Sequence, residues 1–183
     1  MSSTTQKLYE QTLVLRSQLG DERAFEELLN VYGPRLRSFA KKMMQSSPDT
    51  VEDVLQEVWL AIYRGLPGLR DAATFRTWAF RIARDRIFRE YRRRKPAELP
   101  LNKERADELA VDDAADSEVD AEEVRRGLHA ISPEHREVLV LCFFEEMSYL
   151  EIAEAIGASL GTVRSRIHYA KRALRHALEG TTP

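Results

Sequence analysis

Arg164, Arg166, Lys171, Arg172 and Arg175, interleaved with Thr162, Ser165, His168 and Tyr169, form the densest set of side chains in this chain able to recognise another molecule. No acidic residue interrupts the run from Thr162 to Leu178. A guanidinium can donate two parallel hydrogen bonds to a guanine edge, while hydroxyls and lysines hold phosphates, so the chemistry on offer is nucleic-acid recognition. A second set lies upstream, where Arg81, Arg84, Arg86, Arg89, Arg92, Arg93 and Arg94 alternate with the rings of Phe80, Phe88 and Tyr91 and follow Phe75 and Trp78. Guanidinium groups track phosphates and rings stack on unpaired bases, which is what a single-stranded or melted surface needs. The third set is acidic, with Asp49, Asp53 and Glu57 repeating every four residues. Such a row invites metal binding or acid–base work, but all three groups come from one helix with no histidine near, and a solvated or partner-binding face explains them equally. His129, His135, His168 and His176 are scattered, and the chain has no phosphate-cradling glycine loop and no cluster of metal ligands, so neither an enzyme nor a cofactor or metal site is expected.

The elements that position the first set are two short helices joined by a tight turn. From Ser148 onward, Leu150, Ile152, Ala153 and Ile156 mark one apolar stripe, Gly157 permits the backbone to reverse, and a second run begins near Gly161 and Thr162. Val163, Ile167, Ala170, Leu174 and Ala177 form the buried stripe of that second helix, leaving its basic residues largely on the other side. This outline is a helix-turn-helix, whose second helix suits the major groove; a solvated helix in a small bundle is the bland alternative. The second set belongs to a long helix that begins near Phe75 after a loop over Leu66–Thr74, which contains Pro67 and Gly68. Phe75 and Trp78 fall on its core stripe, whereas Phe88, set among arginines, is expected at the surface. The acidic row lies off the core face Val51, Val54, Leu55, Val58, Trp59 and Ile62 of a helix capped by Ser47 or Asp49. Before it, Phe25, Leu28, Leu29 and Tyr32 form a helical stripe that Gly33 and Pro34 disturb and Leu36, Phe39, Ala40 and Met43 resume.

Composition agrees with an all-α fold. Helix formers dominate the 183 residues, glycine and proline number only 8 and 7, and no alternating apolar–polar run marks a strand. Cys142 is the single cysteine, which excludes an internal disulfide and, within the apolar run Val138–Phe144, is expected to be a core thiol. With a polar N-terminus and no apolar run near the ~20 residues a membrane span needs, a soluble cytoplasmic protein without membrane insertion is expected.

The net charge of −2 conceals a segregation. Arg76 to Lys95 carries nine basic residues against Asp85 and Glu90, whereas Ala97 to Glu123 carries eleven acidic residues against Lys103 and Arg105. The acidic stretch lacks aromatics, so it reads as a flexible linker. Two small helical domains are therefore expected, over residues 1–96 and 122–183, joined by an acidic linker over 97–121.

Three segments in order, DVLQEVWLAIYRGL, TFRTWAFRIARDRIFREYRRRKP and LEIAEAIGASLGTVRSRIHYAKRAL, resemble bacterial RNA polymerase sigma factors of the extracytoplasmic function group of the sigma-70 family. The resemblance covers nearly the whole chain. It implies a non-catalytic subunit that binds core RNA polymerase, recognises a promoter and opens it. Asp53, Gln56 and Glu57 match the segment that docks on the clamp helices of the largest polymerase subunit. The loop Leu66–Thr74 and the helix bearing Phe75, Trp78, Arg81, Arg84, Asp85, Phe88, Arg89 and Arg92 match the segments that read the start-proximal element, capture a flipped base and hold opened DNA. Thr162, Arg164, Ser165, Arg166, His168, Tyr169 and Arg172 match the reader of the upstream element, with Arg166 and Arg172 as phosphate ligands. The apolar helix over Pro133–Phe144 is expected to pack beneath that reader and to help form the surface that meets the polymerase flap. Members of the group are often sequestered by an anti-sigma factor, which no residue here identifies.

Two positions depart from the family pattern. Asp85 stands where asparagine is common, which removes the amide donors and leaves acceptors only. It needs a neutralising partner, with Arg81 and Arg89 the candidates, or a donor-presenting base. Tyr169 stands where arginine is common, so one phosphate or guanine contact is expected to be absent. The rival reading is a stand-alone helix-turn-helix regulator with an N-terminal sensor or dimerisation domain, which leaves the basic aromatic helix unexplained.

Overall fold

The structure, a computed structural model, describes residues 3–94 and 121–180, and all regular structure among them is helical. The chain divides into two compact units, Met1–Ala97 and Glu98–Pro183. The acidic linker expected over 97–121 lies outside the described residues except for Ala121, where a helix begins.

The first unit comprises α1 (Ser3–Gln18), α2 (Glu22–Met43), α3 (Pro48–Gly65) and α4 (Phe75–Arg94). Asp21 caps α2 by accepting from the Ala24 amide at 3.2 Å, and Ser47, the first of the two expected candidates, caps α3 with Pro48 in its first turn. Aromatic edges hold the core: Tyr32 meets Phe75 at 5.0 Å and Phe39 meets Phe80 at 5.3 Å, all four rings buried. The Tyr32 hydroxyl donates to Glu10 of α1 at 2.6 Å, and burial together with that carboxylate pushes its pKa far above the usual range. Gly33 and Pro34 do not break α2, contrary to the disturbance read from the sequence. Pro34 is exposed, and the carbonyl its missing N–H would have paired belongs to exposed Asn30, within reach of water.

The second unit comprises α5 (Ala121–Ala130), α6 (Pro133–Leu139) continued by a π turn over Val140–Phe144, α7 (Tyr149–Ile156) and α8 (Leu160–Glu179). Its centre is built from Leu128, Val138, Leu141, Ile152, Val163, Ile167 and Ala170. Arg136 is 4% exposed, and its guanidinium reaches three backbone carbonyls: Nε donates to the Leu128 carbonyl at 2.6 Å, and Nη2 to the His129 and Ile131 carbonyls at 3.1 Å each. These are the orphan acceptors at the end of α5, so a buried arginine serves as its C-cap. Cys142 is half-buried rather than enclosed in the core, and burial raises its pKa against the pull of Lys171, which keeps the thiol protonated.

Candidate nucleic-acid interface

The helix-turn-helix is set by three local devices. Ser148 and Glu151 form a capping box at the start of α7, the Ser148 amide donating to the Glu151 carboxylate at 2.8 Å. Gly157 ends α7 in the left-handed region at φ 67°, where a side chain is disfavoured. Ser159 then caps α8, accepting from the Thr162 amide at 3.1 Å, so α8 starts at Leu160, slightly earlier than the sequence pattern suggests. Val163, Ile167 and Ala170 turn inward as expected. Arg164, Lys171, Arg172 and Arg175 are exposed, with His168 half-buried among them on the same side. Thr162, Arg166 and Tyr169 occupy an adjoining half-buried row, and the His168 and Tyr169 rings meet edge-on at 5.5 Å. Ser165 corrects the expectation that it lies off the stripe. It is 7% exposed, and its hydroxyl donates to the Thr162 carbonyl at 3.1 Å, bonding within the helix instead of projecting from it.

On α4, Trp78, Arg81, Asp85, Arg89 and Arg92 recur at helical spacing along one side, and all but half-buried Trp78 are exposed. The aromatic partners are distributed differently from the expectation. Phe75 is 2% exposed, as its place on the core stripe requires. Phe88, expected at the surface, is only 8% exposed, because the Arg84 guanidinium lies over its ring at 4.7 Å and Tyr91 meets its edge at 5.9 Å. Arg84 also supplies the partner of Asp85 at 3.2 Å, where Arg81 or Arg89 had been expected. Farther along, Arg93 and Arg94 both engage Glu90, and Arg94 reaches Ser46 and Thr50 at the entry to α3 at 3.0 and 2.9 Å. The Arg93 hydrogen bond in particular holds the Glu90 carboxyl below its usual range. The basic run thus divides into an outward row, arginines paired within α4, and Arg94, which ties α4 to the entry of α3.

Leu66–Thr74 contains two short 3₁₀ turns, Leu66–Gly68 and Ala72–Thr74, with Leu66 buried and Pro67, Gly68, Arg70, Asp71 and Ala73 exposed. Gln18 of α1, not singled out in the sequence, fastens this loop by donating from Nε2 to the carbonyls of Leu66 and Leu69 at 3.0 and 2.7 Å. Beside it, a Cβ on Gly65 would come within 2.8 Å of the Trp78 ring, so glycine lets that indole settle across the end of α3. On α3, Asp53, Gln56 and Glu57 are all exposed, joined by two residues the sequence pattern did not mark, Leu60 at 52% and Tyr63 at 62% exposure. In the second unit Phe143, Phe144, Tyr149 and Leu150 are exposed, and the Lys171 ammonium sits 5.2 Å from the Phe143 ring. Among the described residues no group of acidic, histidine and cysteine side chains could hold a metal, and no helix is long and apolar enough to cross a membrane.

Each of the two helical units thus presents an outward basic helix row, and the first also exposes an acidic face on α3. Residues 15–96 match the sigma-70 region 2 family and residues 127–176 the sigma-70 region 4 family. The chain is 34% identical over 175 residues to the extracytoplasmic function (ECF) RNA polymerase sigma factor SigF of Caulobacter vibrioides, covering 95% of each chain. It is 29% identical over 187 residues to the ECF RNA polymerase sigma-E factor of Escherichia coli strain K12, covering 96% of this chain and 97% of that one. Among solved structures, CnrH in complex with the cytosolic domain of CnrY superposes with a TM-score of 0.74 at 26% identity, covering 95% of this chain and 99% of CnrH. The chain belongs to the sigma-70 family of RNA polymerase sigma factors, in its extracytoplasmic function group. It binds core RNA polymerase and directs promoter-dependent transcription initiation.

Proposed function

We propose that the two units divide the promoter between them. The domain over 122–183 reads the upstream element as duplex through Arg164 and His168, with Tyr169 beside them in the groove and Thr162, Arg166 and Arg172 holding sugar–phosphate. The domain over 1–96 holds the opened strand along Trp78, Arg81, Asp85, Arg89 and Arg92, next to the Leu66–Thr74 loop. Phe75, Phe88 and Arg84 serve this surface from beneath, and Ser165 shapes the start of α8. The exposed face Asp53, Gln56 and Glu57 docks on core polymerase, and the rings and leucine around Phe143 and Leu150 meet the flap. The protein acts in the cytoplasm and adds no chemical step of its own.

The observation that carries this reading is the outward basic row of α4 beginning at a half-buried tryptophan, because a duplex reader alone has no use for it. Negative net charge and small footprints predict weak DNA binding by the free chain. Transcription by the reconstituted holoenzyme over a pool of promoters tests the reading. Arg81→Ala combined with Arg89→Ala should abolish permanganate-reactive open complexes while leaving the upstream footprint in place. Normal opening by that variant would refute the assignment of α4.

A further inference from the structure

Phe25, Leu29, Gly33 and Arg37 stand four residues apart along α2, opposite Glu52, Gln56, Trp59 and Tyr63 of α3, and between the two rows runs a groove of about 520 Å³. Both ends are closed by contacts within the chain. Phe25 meets Trp59 and Tyr63 edge-on at 6.2 and 5.2 Å, and Arg37 pairs with Glu52 at the other end. The middle is open because of Gly33: a Cβ built there meets nothing within 4 Å. Glycine inside a helix weakens it relative to alanine, since the unfolded chain loses more freedom on folding. Gly33 has no left-handed φ to satisfy and no close neighbour to admit, so nothing among the described residues calls for glycine at this position. Leu60 and Tyr63, more than half exposed, line the same groove. Gln56 belongs both to the groove and to the acidic face with Asp53 and Glu57, so the two surfaces are continuous.

We infer that core RNA polymerase seats a large apolar side chain in this groove over Gly33, from a segment whose flanking basic residues meet Asp53 and Glu57. The inference rests on the reading of that acidic face as the docking surface. The acids select a basic segment and set its register, and the groove supplies the desolvated contact that exposed ion pairs alone do not provide.

Titration of the full-length chain with purified core RNA polymerase tests this. Gly33→Leu fills the gap from within; its melting temperature should be equal or higher, while its affinity for polymerase falls about tenfold, the loss expected for excluding one well-buried apolar group. Leu60→Gln alters a side chain already half in solvent, so it tests the same contact with little risk to folding, and should weaken binding several-fold. Asp53→Lys with Glu57→Lys reports on the docking face separately. If charge reversal weakens binding but Gly33→Leu and Leu60→Gln do not, the groove is not a polymerase contact and the inference is overturned with the docking face intact. If none of the variants weakens binding, both fall. Loss of affinity in all three supports the inference.

Discussion

Replacing Arg136 with methionine should destabilise the second unit selectively. The substitution keeps an unbranched stem of similar length, so the packing around it changes little, but it withdraws three donors from the Leu128, His129 and Ile131 carbonyls. Two of these bonds lie in the buried interior, and hydrogen bonds from a charged group contribute about 1.5–3 kcal/mol each. Water can reach the third acceptor, beside half-exposed His129, so the net loss should be about 3 kcal/mol, counting the two buried bonds at the low end. For a domain of this size that lowers the melting temperature by roughly 15 °C. Differential scanning calorimetry of the full chain, with the first unit as internal reference, is the direct assay. The holoenzyme carrying the variant should lose its upstream footprint at temperatures where the first unit remains folded. A shift below about 4 °C, equivalent to less than about 1 kcal/mol, would show that solvent replaces the guanidinium and that the buried cap is not what holds α5.

Arg164→Ala should behave in the opposite way, since the side chain is exposed: melting unchanged, upstream affinity of the holoenzyme lower by about 1–3 kcal/mol, measured by footprint titration. Gly157→Ala places a Cβ at φ 67° and should cost the second unit about 1–2 kcal/mol in chemical denaturation, with helix content otherwise kept. His129 has its pKa lowered to about 4 by burial and by the charges of Arg136 and Arg125. The unfolded chain therefore binds its proton first, so stability is full above about pH 6.5 and declines as pH falls toward about 4. Allowing for the ring's partial exposure, the loss should be about 1–2 kcal/mol, and His129→Gln should flatten that limb of the pH–stability curve.

The parts of this molecule legible in its sequence are those governed by one-sided periodicity and local caps. The core faces of α3 and α8, the Gly157 turn and the exposed acids of α3 all follow from spacing. Helix α1 escaped because its apolar residues lie on two sides: Leu13 and Val14 are buried while Leu8 and Leu15 are exposed, so no single stripe stands out. Phe88 departs from the sequence pattern because neighbouring arginines suggest an exposed face, whereas Arg84 folds back over the ring and covers it. Gln18 and Arg136 could not be found by pattern at all. Each acts on backbone carbonyls, which carry no sequence signature, and Gln18 does so across 48 and 51 residues of chain.

The Gln18 clasp bears on how the start-proximal contact proposed for this loop can be altered in this scaffold. One amide spans the carbonyls of Leu66 and Leu69, so those two positions behave as fixed posts, and the exposed residues Arg70, Asp71 and Ala73 hang beyond them. Loops exchanged between relatives should transplant cleanly when the interval between the posts is preserved and variation is confined to 70–73. An insertion between the posts would detach the loop from α1 and shift its whole register, changing every contact at once instead of one base preference at a time.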